Sequence, residues 1–337
     1  MASLSHPQDI VARLREMQRH VRAAVIGSRD RAGLAGVQRT SSADTIYGID
    51  ALIEPILEEY LEHWGQSLPM VVIAEGLEPE TGRTFPAGAK EADCPVRLIL
   101  DPVDGTRGLM YDKRAAWSLA GMAPNRGAVT RLRDIEVAVM TELPTAKMGR
   151  GDVLWAIKGQ GAQAVREVFS SAGEVADSNP PTPLPIRPSS ADTISHGFAT
   201  VSNFFPGTKV LASELMEFLV RNLIGQADVT RATVFDDQYI STGGQFYEMI
   251  VGHDRFNADL RPLFYRLQQQ PEGLCCHPYD CCTALIAAEA GVILTDGRGQ
   301  PLDGPLDTIT GLCWAAFANP ILLRQIEPLI IQFLKER

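Results

Sequence analysis

Several large classes of protein need features that this chain lacks. No block of lysine and arginine runs along it, and its 31 basic residues face 41 acids for a formal charge of −10. That balance does not follow a phosphate backbone, so no nucleic-acid partner is expected. No apolar run approaches the roughly 18 residues of a membrane span, and "MASLSHPQDIVARLREMQRH" has no long apolar core of the signal-peptide kind. The expectation is a soluble, cytoplasmic protein with no membrane partner. Cysteine is scarce, with six residues, four of them in "CCHPYDCC". This is neither a pair of CxxC zinc half-sites nor a spread disulfide framework, so reduced, buried thiols are expected, with no role assigned to the cluster. No internal repeat is visible.

What is present is enough for a large core: 337 residues, 45% of them apolar, which suits two packed halves. Ile10, Val11, Leu14, Met17, Val21 and Val25 recur at helical spacing, and a second stripe runs from Leu52 to Trp64 with Asp50 as its N-cap and Pro55 as an early distortion. Short β-type runs follow: "MVVIA", "VRLIL", "AWSLAGMA", "IEVAVMTEL" and "VLWAIK". Residues 1–170 read as an α+β half. Residues 171–190, rich in Pro and Ser, read as a surface connection. Residues 191–337 read as an α/β half in which "GFATVS" and "VILTD" are strands and "SELMEFLVRNLI", "YDCCTALIAAEAG" and the C-terminal segment are helices, Gly291 capping the second.

Acids stand at the ends of these predicted strands: Glu75 after "MVVIA", Asp101 and Asp104 after "VRLIL", and Asp280 at a helix start. Singly, each has an ordinary explanation as a solvated loop acid, turn chemistry beside Gly105, or an N-cap. Together they point elsewhere. In "DPVDGT" two carboxylates and an intervening carbonyl are pinched into one short segment, and hard oxygen donors of that kind suit Mg²⁺ with a substrate phosphate. The next residues, Gly105 and Thr106, would offer backbone amides to a phosphate oxygen if a helix begins there. Such cations would also offset the chain's negative field toward a phosphate ester.

Four segments, in order, resemble the inositol monophosphatase family, the lithium-sensitive, Mg²⁺-dependent phosphomonoesterases related to fructose-1,6-bisphosphatase. "SSADTIYGID" is similar to the family's first acidic segment, with its key aspartate placed at Asp44; "IAEG" to the segment carrying the metal-binding glutamate, Glu75; "DPVDGT" to the family signature; and "PYDCCTALIAAEAGVILTD" to the last motif, with Asp280 as ligand. The resemblance implies a layered αβαβα sandwich, a homodimer, and two or three Mg²⁺ ions held by Glu75, Asp101, the Val103 carbonyl, Asp104 and Asp280. It also implies a catalytic set of Glu75, Thr106 and Asp44, in which Thr106 bonded to Asp44 readies a metal-activated water, while the Gly105 and Thr106 amides bind phosphate. Inositol-1-phosphate is the default substrate, with a sugar phosphate, histidinol phosphate or 3'-phosphoadenosine 5'-phosphate as alternatives. A non-catalytic binder of phosphorylated metabolites is the rival reading, against which the presence of Thr106 speaks.

The chain departs from the family at Gly76, where many relatives have a second Glu, at Tyr279, where they have Trp, and at Arg39, where the prototype has Lys. Substrate contacts are less legible. "STGGQFYE" and "RFNADLRP" occupy the expected region, which makes Asp259 a candidate. Arg107, Lys113 and Arg114 follow the signature and either read a second phosphate or carboxylate or form a solvated basic loop; Arg107 is the candidate taken forward. His277, three residues before Asp280, is expected to pack or to support a ligand.

Overall fold

Period-two alternation in the strands is what separates the layers. In Val96–Asp104, Leu98 and Leu100 face one side, in the same core as Ile53 and Leu57, whereas Ile99 faces the other, in the core that holds Phe246 and Met249. A sheet apolar on both faces must be covered on both. The computed structural model describes residues 3–28, 37–40, 45–170, 173, 175, 180–226 and 230–337, with 37–40 and 45–47 described by their backbone.

In chain order the first part contains α1 (Pro7–Gly27), β1 (Val37–Thr40), β2 (Thr45–Tyr47), α2 (Gly48–Gly65), β3 (Met70–Ala74), β4 (Arg83–Phe85), β5 (Val96–Asp104), α3 (Thr106–Met110), β6 (Ala116–Pro124), β7 (Val137–Leu143), β8 (Arg150–Ile157), β9 (Ala162–Val168) and β10 (Thr182–Pro183). The rest contains β11 (Phe198–Val201), α4 (Lys209–Leu223), α5 (Thr242–Ile250), β12 (Asp254–Asp259), α6 (Arg261–Leu267), α7 (Ala284–Ala290), β13 (Ile293–Thr295), β14 (Trp314–Phe317) and α8 (Pro320–Lys335). β1 and β2 form a hairpin. A large sheet has the order β10-β9-β8-β7-β6-β5-β3-β4, antiparallel except for the parallel β3/β5 pair, and a small sheet has the order β11-β12-β14-β13.

Helices α1 and α2 cover one face of the large sheet, α5 and α7 lie between the two sheets, and α4 and α8 cover the far face of the small one. This is the expected αβαβα order. Buried polar ties pin α1: Gln18 Nε2 donates to the Val139 carbonyl at 3.0 Å, and the Thr141 hydroxyl donates to Gln18 Oε1 at 2.7 Å. Arg19 and Arg22 both bind Glu167 on β9. A lone buried amide or carboxylate would be costly, so these pairings set the helix's register on the sheet.

Four differences from the sequence expectations have local causes. α2 continues through Pro55, and Asp50 lies in its first turn. β9, β12 and the short β4 were not foreseen: β9 alternates charged with small residues, and β12 is interrupted by buried Asp254, Asn257 and Asp259. Within 171–190, Thr182–Pro183 pairs with β9, and Leu184 and Ile186 pack on the core, so this stretch is more than a surface connection. Finally, the helix expected from Tyr279 begins only at Ala284, with turns before it; Gly291 caps it as expected.

Candidate metal centre

β5 extends past Leu100 to carry both aspartates of the signature. Asp101 pairs with Leu119 of β6 and Asp104 with Trp117, so three steps along β5 oppose two along β6. In a regular strand, residues three apart face opposite sides; the extra residue of this bulge brings the two carboxylates to the same side. Pro102 sits in the bulge, where its missing N–H removes no ladder bond. The bulge is held from within: Val103 N–H donates to Asp101 Oδ1 at 2.9 Å, and the Thr106 hydroxyl donates to the Val103 carbonyl at 2.7 Å.

The start of α5 braces Asp104 from the other side of the cleft. The Gly243 amide and the Ser241 hydroxyl donate to Asp104 Oδ2 at 2.6 and 2.9 Å. This approach requires glycine, since a Cβ at Gly243 would stand 2.5 Å from Leu119 Cδ2 and 3.0 Å from Asp104 Oδ2. Gly105, at φ +97°, makes the left-handed turn that starts α3 while passing close to Ser241. Asp280 lies in the turns before α7, where its Oδ2 accepts from the His277 amide at 2.6 Å. The His277 ring stacks on Tyr279, which fits the supporting place expected of it.

One carboxylate oxygen from each of Asp101, Asp104 and Asp280 lies within 4.8 Å of the others, and Asp101 and Asp104 are buried. Burial, and then the charges of Glu75, Asp104 and Asp280, push the Asp101 carboxyl well above the usual aspartate range. Burial raises Asp104 to about 6, against the lowering effect of the bonds from Gly243, Ser241 and Thr242. Such a cluster is unfavourable when ionised and alone, and a hard divalent cation relieves it; the all-oxygen donor set therefore fits Mg²⁺. Glu75 follows β3 and lines the same cleft.

Glu75, Asp101, Val103, Asp104, Gly105, Thr106, Arg107 and Asp280 thus come together around one cleft. Asp44 lies outside the described residues. Among the described residues, the carboxylate that meets Thr106 is Asp50, whose Oδ1 is 3.4 Å from the Thr106 hydroxyl. Asp50 was read only as a helix cap, yet "SSADTIYGID" contains both acids, and five residues of strand and helix start separate them. Which of the two reaches Thr106 depends on how α2 docks beside α3.

Asp259 has a different setting from the one expected. It is 1% exposed, and the Arg261 guanidinium occupies it through Nε at 2.9 and 3.0 Å and through Nη2 at 2.5 Å. It is Arg261, with Phe204 and Phe205, that lines the cleft; none of the three was singled out in the sequence. Of the three basic residues after the signature, Arg107 lines the cleft. Arg114 is instead paired with Asp237 at 2.5 Å and Glu248 at 3.2 Å and stacked on Tyr239. All six cysteines are free and buried, and burial raises the thiol pKa of the four in "CCHPYDCC". Cys276 Sγ and Cys281 Sγ are 3.3 Å apart.

No protein-family model matches the chain, and no curated protein sequence does. Solved structures do match. Leishmania major fructose-1,6-bisphosphatase is similar over 100% of both chains with a TM-score of 0.65 and 13% identity. Mycobacterium tuberculosis SuhB is similar over 98% of both chains with a TM-score of 0.62 and 16% identity. The Thermotoga maritima IMPase is similar over 97% of this chain and 99% of its own, with a TM-score of 0.60 and 14% identity. The chain has the fold shared by inositol monophosphatases and fructose-1,6-bisphosphatase. No described helix is long and apolar enough to cross a membrane.

Proposed function

We propose that this protein is a metal-dependent phosphatase of small phosphate monoesters, with inositol-1-phosphate as the default substrate and the sugar, histidinol and nucleotide phosphates named above as alternatives. The observation that carries the reading is the carboxylate trio: Asp101 and Asp104 turned to one side by a bulge, and Asp280 brought to them from a segment far along the chain. With Glu75 and the Val103 carbonyl they would hold two or three Mg²⁺ ions. When bound, these ions supply the positive charge that neutralises the phosphate and the charge developing on the attacking and leaving oxygens.

The chain's own residues then have separable tasks. A hydroxyl has one proton and two lone pairs. With its proton directed to the Val103 carbonyl or to Asp50, Thr106 Oγ1 presents a lone pair that accepts a hydrogen bond from the attacking water and so orients it. The proton that Thr106 relays goes to Asp44, as the motif implies, or to Asp50, the described acid 3.4 Å from the Thr106 hydroxyl. The Gly105 and Thr106 amides, at the start of α3, hold the phosphate oxygens. Ser241 and Gly243 fix Asp104, so the donor set needs little reorganisation during the reaction.

The remaining expectations belong to the same proposal: an N-terminal half of 1–170 supplying most ligands, a C-terminal half of 191–337 supplying Asp280 and the substrate side, a homodimer, and a cytoplasmic setting. A phosphate-release screen with Mg²⁺ over inositol, sugar, nucleotide and amino-alcohol phosphates tests the activity. Release from at least one class is expected. No release from any, with phosphorylated ligands still binding, would instead support a phosphometabolite-binding regulator.

A further inference from the structure

The cleft has a second wall that the hydrolytic chemistry does not use. Apart from its carboxylates, the charged groups lining it among the described residues are Arg107 and Arg261. Both guanidinium groups stand over the same ring, Phe205, at 5.1 and 5.3 Å from its centroid, and Arg261 also stands 4.8 Å from the centroid of Phe204. The two phenylalanine rings meet edge to face, 5.0 Å apart. Stacking on an aromatic face leaves the edge of a guanidinium, with its N–H groups, directed along the ring plane.

Arg261 is only 4% exposed, and its position is over-determined. Nε and Nη2 donate to Asp259, and Nη1 donates to the Leu274 carbonyl at 3.0 Å. A guanidinium carries five N–H donors. These bonds to described residues use one on each nitrogen, so one remains on Nη1 and one on Nη2. With the guanidinium charge, these donors can meet the oxygens of a carboxylate or phosphate. Asp259 and Phe204 hold the guanidinium on the wall of a cleft whose other charged groups, Arg107 apart, are acids.

We infer that Arg107 and Arg261, carried on Phe204 and Phe205, form a subsite for a second anionic group of the substrate, so that the preferred esters bear a carboxylate or further phosphate besides the phosphoryl group removed. This rests on the phosphatase reading of the cleft and adds the substrate class. In a chain of charge −10, such a substrate would otherwise meet only repulsion beyond the metal cluster. Asp259 is here a positioning residue: it holds Arg261 and does not touch the ligand.

The test compares matched esters with Mg²⁺: glycerol 3-phosphate against 3-phosphoglycerate for a carboxylate, and inositol 1-phosphate against inositol 1,4-bisphosphate for a second phosphate. At least one second-anion ester is expected to exceed its partner in kcat/KM by about ten- to a hundred-fold, mostly through KM, as charge-assisted hydrogen bonds of this kind allow. Which arm shows the preference identifies the anion. Arg107→Gln should cut the preference ratio several-fold, and Arg261→Lys, which keeps the charge and loses the guanidinium, should cut it further. Because Arg261 is buried against Asp259, the paired variant Asp259→Asn with Arg261→Gln is made as well, and the Mg²⁺-induced rise in Tm verifies that each variant is folded. Equal kcat/KM within each pair, or a preference that survives all three variants, overturns the inference. If no ester is hydrolysed, the phosphatase reading has failed separately, and the same pairs titrated calorimetrically with Mg²⁺ present decide the subsite from the ratio of Kd values.

Discussion

The two walls of the cleft are built in opposite ways. One consists of residues almost contiguous in sequence, Asp101 to Thr106, folded into a bulge and a short helix start, and it presents acids, a carbonyl and a hydroxyl. The other joins Arg107 to Phe204, Phe205, Arg261 and the "LCC" segment at 274–276, which are scattered through the second part of the chain, and it presents aromatics and two guanidinium groups. Hydrolysis needs a fixed donor set, and a short segment stiffened by its own hydrogen bonds holds one. Recognition of the rest of the substrate needs reach and shape, which separate loops supply.

The sharpest way to break this division is to remove a carboxylate of the first wall. Asp101→Asn is expected to lower kcat/KM by about 100- to 1000-fold or more, and to abolish the Mg²⁺-induced rise in Tm, measured by phosphate release and calorimetry. Retained activity would show that the donor set is elsewhere. Next, Thr106→Ala and Asp50→Asn should each reduce kcat by about 100-fold while leaving Mg²⁺ affinity nearly intact, which separates the group acting on water from the groups holding metal. Wild-type kcat in Asp50→Asn would return the role to Asp44.

Acidity offers a third test. Asp104, raised to about 6, and Asp101, raised well above the usual range, bind protons more tightly folded than unfolded. Their contribution to stability is therefore complete below the ordinary aspartate range and is lost as pH rises through about 6. Without metal, Tm should fall between about pH 5 and pH 7.5, and the rise produced by Mg²⁺ should be larger at pH 7.5 than at pH 5, since protons compete with the cation. A flat profile in both conditions would mean that the trio does not interact. Fourth, Gly243→Ala should cost about 1–3 kcal/mol by overpacking against Leu119, and should weaken Mg²⁺ binding through Asp104; denaturant unfolding and calorimetry measure the two. The smallest effect is expected at Arg114→Ala, about 1 kcal/mol or less for a partly exposed ion pair. Unlike Arg107→Gln it should not alter the ratio between matched esters, so a change in that ratio would erase the distinction between these two neighbouring arginines.

The first wall could be read from the chain because its parts are close together. "DPVDGT" names two carboxylates, the carbonyl and the hydroxyl at once, and Glu75 follows a recognisable strand. Helices α1, α4 and α8 and strands β3, β6 and β7 were legible for a similar reason: their apolar residues repeat with a clear period, and nothing distant is needed to place them. Asp259 shows the limit. Its position suggested a substrate contact, but its partner, Arg261, lies two residues away, and only folding shows that the pair neutralises itself while the arginine faces the cleft. Asp50 and Asp44 stood in the same motif, and the docking of α2 beside α3 brought Asp50 to Thr106.

By itself, then, the amino-acid sequence determined the donor types and many of the helices and strands, since oxygen ligands and apolar periodicity are local properties, while the layered order was implied by the resemblance of its motifs to a known family. The tertiary structure alone decided that a single extra residue in β5 turns Asp101 and Asp104 to one side. It also decided that Asp280 meets them, and that Arg107 and Arg261 both stand over the ring of Phe205. These depend on register and on contacts between distant segments, which a linear pattern does not specify.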